Sequence, residues 1–253
     1  MIIDTHVHYN LSPLLENWQS HLKTAKKHGV TQSIVVGTDL ASSQLAIDIA
    51  EQDPHLFATV GIHPHEMNHL VETRLIASLQ DLIKNNLAKI VAIGEIGLDY
   101  HYQKNNHQRQ LFISQIKLAN EFNLPLSIHV RDAYDDALEI LQQHPPASEF
   151  VLHCFSGDEH YVQEAIKLGA YFGVDGNITY KNAQKLRDLL KLIPPDKVLL
   201  ETDAPYLPPE PHRGKTCEPW MISATAQYLK DNFGISEAQL AINSKNCFTR
   251  LNV

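Results

Sequence analysis

The sequence has little cysteine, no long apolar run and no excess of positive charge. Its 3 cysteines among 253 residues cannot all pair with one another, which excludes a small disulfide-stabilised scaffold. No apolar run reaches the roughly 18 residues that a membrane span needs, and the first residues lack the basic and apolar regions of a signal peptide. We therefore expect a soluble, cytoplasmic protein without a membrane partner.

The scarcity of positive charge also limits the partners. The formal net charge is −8, whereas proteins that grip long duplexes through many phosphates are usually basic. A small anionic substrate held by metal ions remains compatible, because bound cations dominate the local field. No G-x-G-x-x-G motif follows the first apolar run, which argues against a dinucleotide fold. No flexible linker divides the chain, so we interpret residues 1–253 as a single domain.

Short apolar runs alternate with longer amphipathic stretches along the chain. Near-continuous apolar runs are typical of parallel strands buried on both faces, and strict alternation of strand and helix favours a parallel sheet. Eight such units in 253 residues predict an α/β protein with a (β/α)8 TIM barrel. The predicted strands are Ile2–His6, Ser33–Gly37, Phe57–Ile62, Ile90–Gly94, Leu126–His129, Phe150–His153, Ala170–Val174 and Val198–Glu201.

The stretches between the strands have apolar residues at helical spacing. Asp132 is a suitable N-cap for the second of the helices below. A proline-containing segment, Ala204–Pro219, follows the last predicted strand, and we expect C-terminal helices to close the barrel after it. The best-defined predicted helices are His107–Phe122, Asp132–Gln143 and Lys181–Leu192.

The unusual number in the composition is its 15 histidines, because imidazole is the commonest metal ligand in proteins. His6 and His8 lie at the end of the first predicted strand. Residues two apart on a strand share a face, so both side chains can point toward the barrel axis. They would do so at the carboxyl ends of the strands, where α/β barrels carry their active sites.

Four more polar residues end other predicted strands: Glu95, His129, His153 and Asp203. One such residue alone is more often structural, but six at the same end of five strands indicate a common site. Six ligands exceed what one catalytic zinc needs, and two ions that share a carboxylate fit better. The sequence therefore predicts a two-metal hydrolase that accepts Mg²⁺, Mn²⁺ or Zn²⁺.

Other residues near the strand ends are candidates for substrate contact and for support of the ligands. Asp203 is the carboxylate best placed to orient a water and take its proton. Asp99 and Glu201 are candidates for orienting ligand imidazoles. Cys154 follows His153 and is predicted to point away from the axis into the core. The cations that could neutralise phosphate oxygens are Arg131, Arg213 and Lys215.

Six motifs run almost from end to end of the chain. They are DTHVH at 4–8, GIHPH at 61–65, GEIGLDY at 94–100, IHVRDA at 128–133, HCFSG at 153–157 and ETDAPYL at 201–207. In this order they resemble the TatD-related metal-dependent hydrolases of the amidohydrolase superfamily. The resemblance implies a barrel, divalent metals and a deoxyribonuclease that hydrolyses phosphodiester bonds, often 3′ to 5′ on single-stranded DNA. An aminoacyl-tRNA deacylase activity is also associated with relatives.

The resemblance implies roles for individual residues. His63 and His65 are similar to active-site residues that lie near the substrate rather than bind the ions. Cys217 departs from the pattern, because the family usually has asparagine there. The change removes an amide's donors and acceptor, which puts a substrate contact in doubt but not the metal site; an inert thiol is favoured over a reactive one. The implied ligands are His6, His8 and Asp203 for one ion, His129 and His153 for the other, and Glu95 as the bridge.

Three functions remain open. The leading one is a phosphodiesterase that acts on DNA ends or another phosphodiester, with no obligate protein partner. The second is hydrolysis of an ester or amide, such as a lactone or D-aminoacyl-tRNA. Amidohydrolases of that kind often use a carbamylated lysine as the bridge, and Glu95 stands in that place here. The third is a metal-binding or nucleic-acid-binding scaffold without turnover, which the complete set of candidate ligands disfavours.

Overall fold

Eight parallel strands and nine α-helices alternate in the computed structural model, which describes residues 1–66, 72–101 and 104–252. The strands follow chain order in one sheet, and every hydrogen-bonded pair of neighbours is parallel. The strands are Ile2–Val7 (β1), Val30–Val36 (β2), Leu56–Val60 (β3), Ile90–Asp99 (β4), Leu126–Arg131 (β5), Phe150–Leu152 (β6), Tyr171–Val174 (β7) and Val198–Leu200 (β8).

The first and last strands complete the barrel. The backbone N–H of Asp203 donates to the carbonyl of His6 at 2.9 Å. The buried carboxylate of Asp4 accepts hydrogen bonds from the backbone N–H and the hydroxyl of Thr202. The segment after β8 is thereby held beside β1, and the predicted (β/α)8 TIM barrel is confirmed.

The helices pack around the barrel through apolar side chains. Every residue of β1, β3 and β4 is buried, because strands in a parallel barrel are covered on both faces. None of the helices among the described residues combines the length and apolar character needed to cross a bilayer. The helices are Trp18–Lys27 (α1), Leu40–Glu51 (α2), Glu72–Asn86 (α3), Asn106–Phe122 (α4), Tyr134–Gln143 (α5), Glu159–Lys167 (α6), Gln184–Leu190 (α7), Ile222–Phe233 (α8) and Glu237–Cys247 (α9).

The C-terminal residues cover the end of the barrel where the strands begin. Phe248 follows α9, is fully buried and belongs to the same apolar cluster as Ile3 and Leu199. Asn243 of α9 donates to the carbonyls of Pro195 and Val198 at 2.8 Å each, at the start of β8. The expected closing helix is therefore present, and it lies opposite the carboxyl ends of the strands.

Two predicted helices have wrong bounds, one at its start and the other at both ends. Asp132 does not cap α5, which begins at Tyr134; Asp132 has a φ of 53° and its carboxylate lies 3.1 Å from His101 Nδ1. The predicted helix over Lys181–Leu192 is shorter at both ends. The carbonyls of Tyr180 and Lys181, just before α7, accept hydrogen bonds from the guanidinium of Arg187.

Candidate metal centre

Irregular strand pairing aims two of the expected ligands into the barrel mouth. The register of β1 against β2 shifts around His6, and the register of β4 against β5 shifts around Glu95. An extra residue in one strand turns its side chain away from the regular alternation. Glu95 thus lies in the middle of β4 and not after its end as predicted, because β4 continues to Asp99.

Glu95 lies at the centre of the cluster, and its two oxygens face different imidazoles. Its Oε2 is 3.6 Å from His6 Nε2. Its Oε1 is 3.0 Å from His129 Nδ1 and 3.5 Å from His153 Nε2. The Nε2 of His63 is 3.6 Å from the same Oε1, so His63 lies as close to Glu95 as the expected ligands do.

A second carboxylate joins the first pair of histidines. Asp203 Oδ1 lies 3.3 Å from His8 Nε2 and 3.8 Å from His6 Nε2. The possible ligand atoms of these three residues all lie within 4.8 Å of one another, and so do those of His63, Glu95 and His129. The structure therefore brings together all six side chains that the sequence suggested as ligands.

Three of these imidazoles have a partner for the nitrogen that faces away from the centre. The Nδ1 of His8 lies 3.2 Å from the carbonyl of Val36. Carboxylates hold the other two: His129 Nε2 lies 3.0 Å from Asp99 Oδ2, and His153 Nδ1 lies 3.1 Å from Glu201 Oε1. Such partners fix the ring orientation and the tautomer of metal-binding histidines. The expectation for Asp99 and Glu201 agrees with this geometry.

The donor set fits divalent metal ions. Both ring nitrogens of His6 are buried and have no hydrogen-bond partner among the described residues, which is rare for buried polar atoms unless an ion or water serves them. Burial raises the pKa of Glu95, but His63, His129 and His6 outweigh it and hold this pKa well below its usual range. Burial lowers the pKa of His63 to about 3. An ionised carboxylate and neutral imidazoles are the forms that bind metals.

Nearby carboxylates raise the pKa of three other histidines, which are His8, His129 and His153. Burial alone lowers the pKa of His153, but Glu201 and Glu95 outweigh it and raise this pKa well above its usual range. In the same way, Asp203 raises the pKa of His8 against the effect of burial. Burial also lowers the pKa of His129, but Asp99 and Glu95 outweigh it and raise this pKa. Nearby carboxylates therefore favour positive charge at these three imidazoles.

The centre opens into a cavity of about 550 Å³. His65 is at its edge, with Nε2 2.8 Å from Asp99 Oδ2, and Arg131 lies on its wall. Arg213 and Lys215 do not line it: both are exposed in the loop after β8, and the guanidinium of Arg213 lies 4.4 Å from the ring centre of Tyr180. The lining residues are His8, Leu11, Thr38, His63, His65, Glu66, Glu95, Asp99, His129, Arg131, His153, Asp203 and Tyr206.

Cys217 and Cys154 lie in different surroundings. Cys217 is fully buried, and burial raises the pKa of its thiol, so the inert interpretation agrees with the structure. The prediction that Cys154 fills the core is wrong, because the residue belongs to neither apolar cluster of the core and its Sγ accepts a hydrogen bond from Asn177 at 3.8 Å. β6 ends at Leu152, and Cys154 has a φ of 46°. The alternation of a strand therefore does not extend to it.

Asp4 is a functional candidate for which the sequence suggested no role. Burial raises its pKa to about 8, and its carboxylate also accepts from the backbone N–H of His6 at 3.3 Å. It therefore ties the ligand-bearing end of β1 to Thr202 beside Asp203. A carboxylate inside an apolar strand, two residues before His6, was the signal available in the sequence.

Comparison with known proteins agrees with this geometry. The family profile described as TatD related DNase matches residues 3–252. A relative from Mycoplasma pneumoniae is 37% identical over 97% of this chain and 98% of its own, and one from Bacillus subtilis, YabD, is 36% identical over 91% of each. Both are described as uncharacterized metal-dependent hydrolases. The crystal structure of YjjV, a TatD homologue from Escherichia coli, superposes with a TM-score of 0.92 at 30% identity over 98% of both chains. The chain belongs to the TatD-related DNase family of metal-dependent hydrolases.

Proposed function

We propose that this protein is a two-metal phosphodiesterase that shortens single-stranded DNA from its 3′ end, and that residues 1–253 work as one domain. The observation that carries the proposal is the position of Glu95. Its Oε2 faces His6, and its Oε1 faces His129 and His153. A carboxylate that bridges two ions needs such a placement between two groups of donors.

The ions would be held by side chains that are already close together. Imidazoles favour Zn²⁺ on softness, while the carboxylates also suit Mg²⁺ and Mn²⁺. When bound, such ions polarise a phosphoryl oxygen and make a water more acidic. The proposed ligands are His6, His8 and Asp203 on one side, His129 and His153 on the other, and Glu95 between them.

The chain's own groups would complete the chemistry. Burial raises the pKa of Asp203, but its contact with His8 outweighs this and holds the pKa below its usual value. Asp203 is then an ionised carboxylate that can take a proton from the attacking water. His63 would stay neutral beside the reacting phosphate. His65 and Arg131, on the cavity wall, would orient the phosphate oxygens.

The substrate class rests on the family and on the charge of the chain. The family is described as a DNase, and a net charge of −8 is unfavourable to a long electrostatic grip on duplex. Arg213 and Lys215 lie outside the cavity, so we assign them to phosphates beyond the one that reacts. Few phosphate contacts suit the removal of nucleotides from a strand end.

A cleavage assay tests this function. Metal-stripped protein would be incubated with short single-stranded DNA labelled at the 5′ or the 3′ end, with Mg²⁺, Mn²⁺ or Zn²⁺ restored separately. We expect metal-dependent shortening from the 3′ end, reduced at least about 100-fold in Glu95→Gln, because the bridge between the ions is lost. Glu51→Gln, at the exposed end of α2, is the matched control. Folded, metal-loaded protein that cleaves no DNA would redirect the assignment to an ester, a lactone or aminoacyl-tRNA.

A further inference from the structure

One carboxylate oxygen beside the metal centre fixes both the side chain and the backbone around a candidate ligand. Glu201 is 1% exposed. Its Oε1 lies 3.1 Å from His153 Nδ1 and accepts the backbone N–H of Cys154 at 2.7 Å. A neutral imidazole carries one proton, so donation from Nδ1 leaves the lone pair on Nε2. That nitrogen faces Glu95 Oε1 at 3.5 Å.

The backbone contact lies at an uncommon conformation. Cys154 follows His153 directly and has a φ of 46°, which is sparsely populated for residues other than glycine, asparagine and aspartate. The bond from its N–H to Glu201 therefore holds the chain in this turn. Movement of the Glu201 carboxylate would release the ring of His153 and the backbone beside it at the same time.

The carboxylate occupies this position only because residue 173 has no side chain. A Cβ on Gly173 would lie 2.2 Å from Glu201 Oε1 and 2.4 Å from Oε2, far inside contact distance. Gly173 is in β7, paired with Leu199 of β8, and its φ is not positive. An alanine at 173 would therefore fit the backbone, and its Cβ would clash with the carboxylate of Glu201.

The surroundings make this carboxylate costly to keep. Asp175, two residues after Gly173, is 1% exposed, and neither of its carboxyl oxygens has a hydrogen-bond partner among the described residues. Glu201 thus lies in an interior that also holds a second acidic side chain, and a buried polar group there needs hydrogen-bond donors. The partners that offset this cost are the donors of His153 and Cys154.

We propose that Gly173 and Glu201 form one positioning unit for His153. The glycine provides the space, the carboxylate fixes the imidazole, and residue 173 thereby sets the affinity of one of two ions without touching either. The proposal rests on the two-ion centre described above but not on any substrate. His8, a proposed ligand of the other ion, is held instead by the carbonyl of Val36, 3.2 Å from its Nδ1, so the ion beside His8 and Asp203 is supported separately from this unit.

Metal binding in the absence of DNA tests the proposal. The apoproteins of the wild type, Gly173→Ala, Glu201→Ala, Glu201→Gln and the double Gly173→Ala/Glu201→Ala variant would be titrated with Co²⁺. Visible absorption would be followed, and bound metal would be measured by elemental analysis. Far-UV circular dichroism and thermal unfolding of each apoprotein would report the fold. Because no DNA is present, failure of the nuclease proposal would not alter this result.

We expect Gly173→Ala and Glu201→Ala each to weaken one of the two ions by about 10- to 100-fold, the usual effect of losing such a support. The absorption of the other ion should stay as in the wild type. Glu201→Gln, which keeps an acceptor oxygen, should restore most of the affinity. In the double variant the alanine at 173 should add nothing, because it has no carboxylate left to displace.

Three results would overturn the proposal: normal Co²⁺ binding in Gly173→Ala, equal weakening of both ions, or a full additional loss in the double variant. If Gly173→Ala does not fold, the comparison of Glu201→Ala with Glu201→Gln decides. Equal Co²⁺ affinity in those two variants would then reject the positioning role, and a clear preference for glutamine would support it.

Discussion

Asp203 has two properties that distinguish it from Glu95, the other carboxylate of the centre. Its side chain is 14% exposed against 6% for Glu95, so water can reach it from the cavity. It also has a φ of 51°, a conformation that aspartate and asparagine tolerate better than most residues. Asparagine can therefore replace it without backbone strain, and the substitution isolates the loss of charge.

We expect Asp203→Asn to lower kcat by about 100- to 10,000-fold, the range for loss of a proton acceptor, while most of the bound metal is retained. Single-turnover cleavage of labelled DNA and elemental analysis would measure the two effects. Asp132→Asn is the matched control, because Asp132 also has a positive φ but is exposed. Normal turnover in Asp203→Asn would remove Asp203 from the mechanism, and loss of metal together with activity would make it a ligand only.

The candidate ligands could be found in the sequence because each follows or interrupts an apolar run, as His6 and His129 do. Their supporting contacts could not. The pairing of His153 with Glu201 spans 48 positions, and the dependence of Glu201 on Gly173 appears only when β7 and β8 are side by side. A glycine between Phe172 and Val174 offers no signal of its own in one sequence.

At the scale of elements, one carboxylate joins the end of β4 to α4 and α5. Asp136, in the first turn of α5, accepts from Tyr100 at 2.6 Å and lies 2.8 Å from Arg109 and 3.0 Å from Lys104. Burial raises the pKa of Asp136, but Tyr100, Lys104 and Arg109 outweigh this and lower it to about 2. Tyr100 and Lys104, which follow β4, are thus both held to the first turn of α5.

This contact should make stability depend on pH in a defined direction. The pKa of Asp136 is about 2 in the folded chain against an ordinary 3.8, so its contribution is complete above pH 4 to 5 and is lost as the pH falls through 3.8 toward 2. We expect Asp136→Asn to cost at most about 2 kcal/mol at pH 7, and less at pH 3. Urea unfolding at both pH values would measure it.

Asp188→Asn is the control for that comparison, since the Asp188 carboxylate is 55% exposed in its pair with Lys191 and such surface pairs contribute little. A cost for Asp136→Asn that is the same at pH 7 and pH 3 would contradict the assigned charge effect. It would instead indicate that only the shape of the side chain matters.

The elements themselves could be predicted more fully than their ends. Seven of the eight strands agree with the predicted runs to within three residues at each end, because parallel strands buried on both faces are continuously apolar. β4 was predicted to stop at Gly94 but continues to Asp99, opposite Arg131 of β5. Its later residues include Glu95 and Asp99, so the apolar pattern ends where the functional part of the strand begins.

At the scale of the whole molecule, one end of the barrel carries the candidate metal ligands and the other carries apolar packing. The carboxyl ends of the strands carry buried imidazoles and carboxylates, and the side chains of two of these residues, His6 and Asp175, have no hydrogen-bond partner within the described part of the chain. Such groups contribute little to stability. The opposite end is apolar and is covered by α9 and the residues after it. Arg250 also donates to the carbonyl of Leu87 there, at 2.8 Å. Stability and metal binding should therefore respond separately to substitution.

Phe248→Ala tests this separation. Phe248 is 0% exposed, and loss of a buried phenyl ring costs about 3–5 kcal/mol, which should lower the midpoint of a single cooperative unfolding transition. The folded variant should keep the Co²⁺ affinity and the kcat of the wild type, because the ring packs at the end remote from Glu95.

Ile242→Ala is the control for Phe248→Ala. Its side chain is also on α9 but is 53% exposed, so the substitution should change stability by less than about 1 kcal/mol. Chemical denaturation and Co²⁺ titration of the same preparations would compare them. A loss of metal affinity in folded Phe248→Ala would show that the two ends are coupled, and a second transition would show that the barrel does not unfold as one domain.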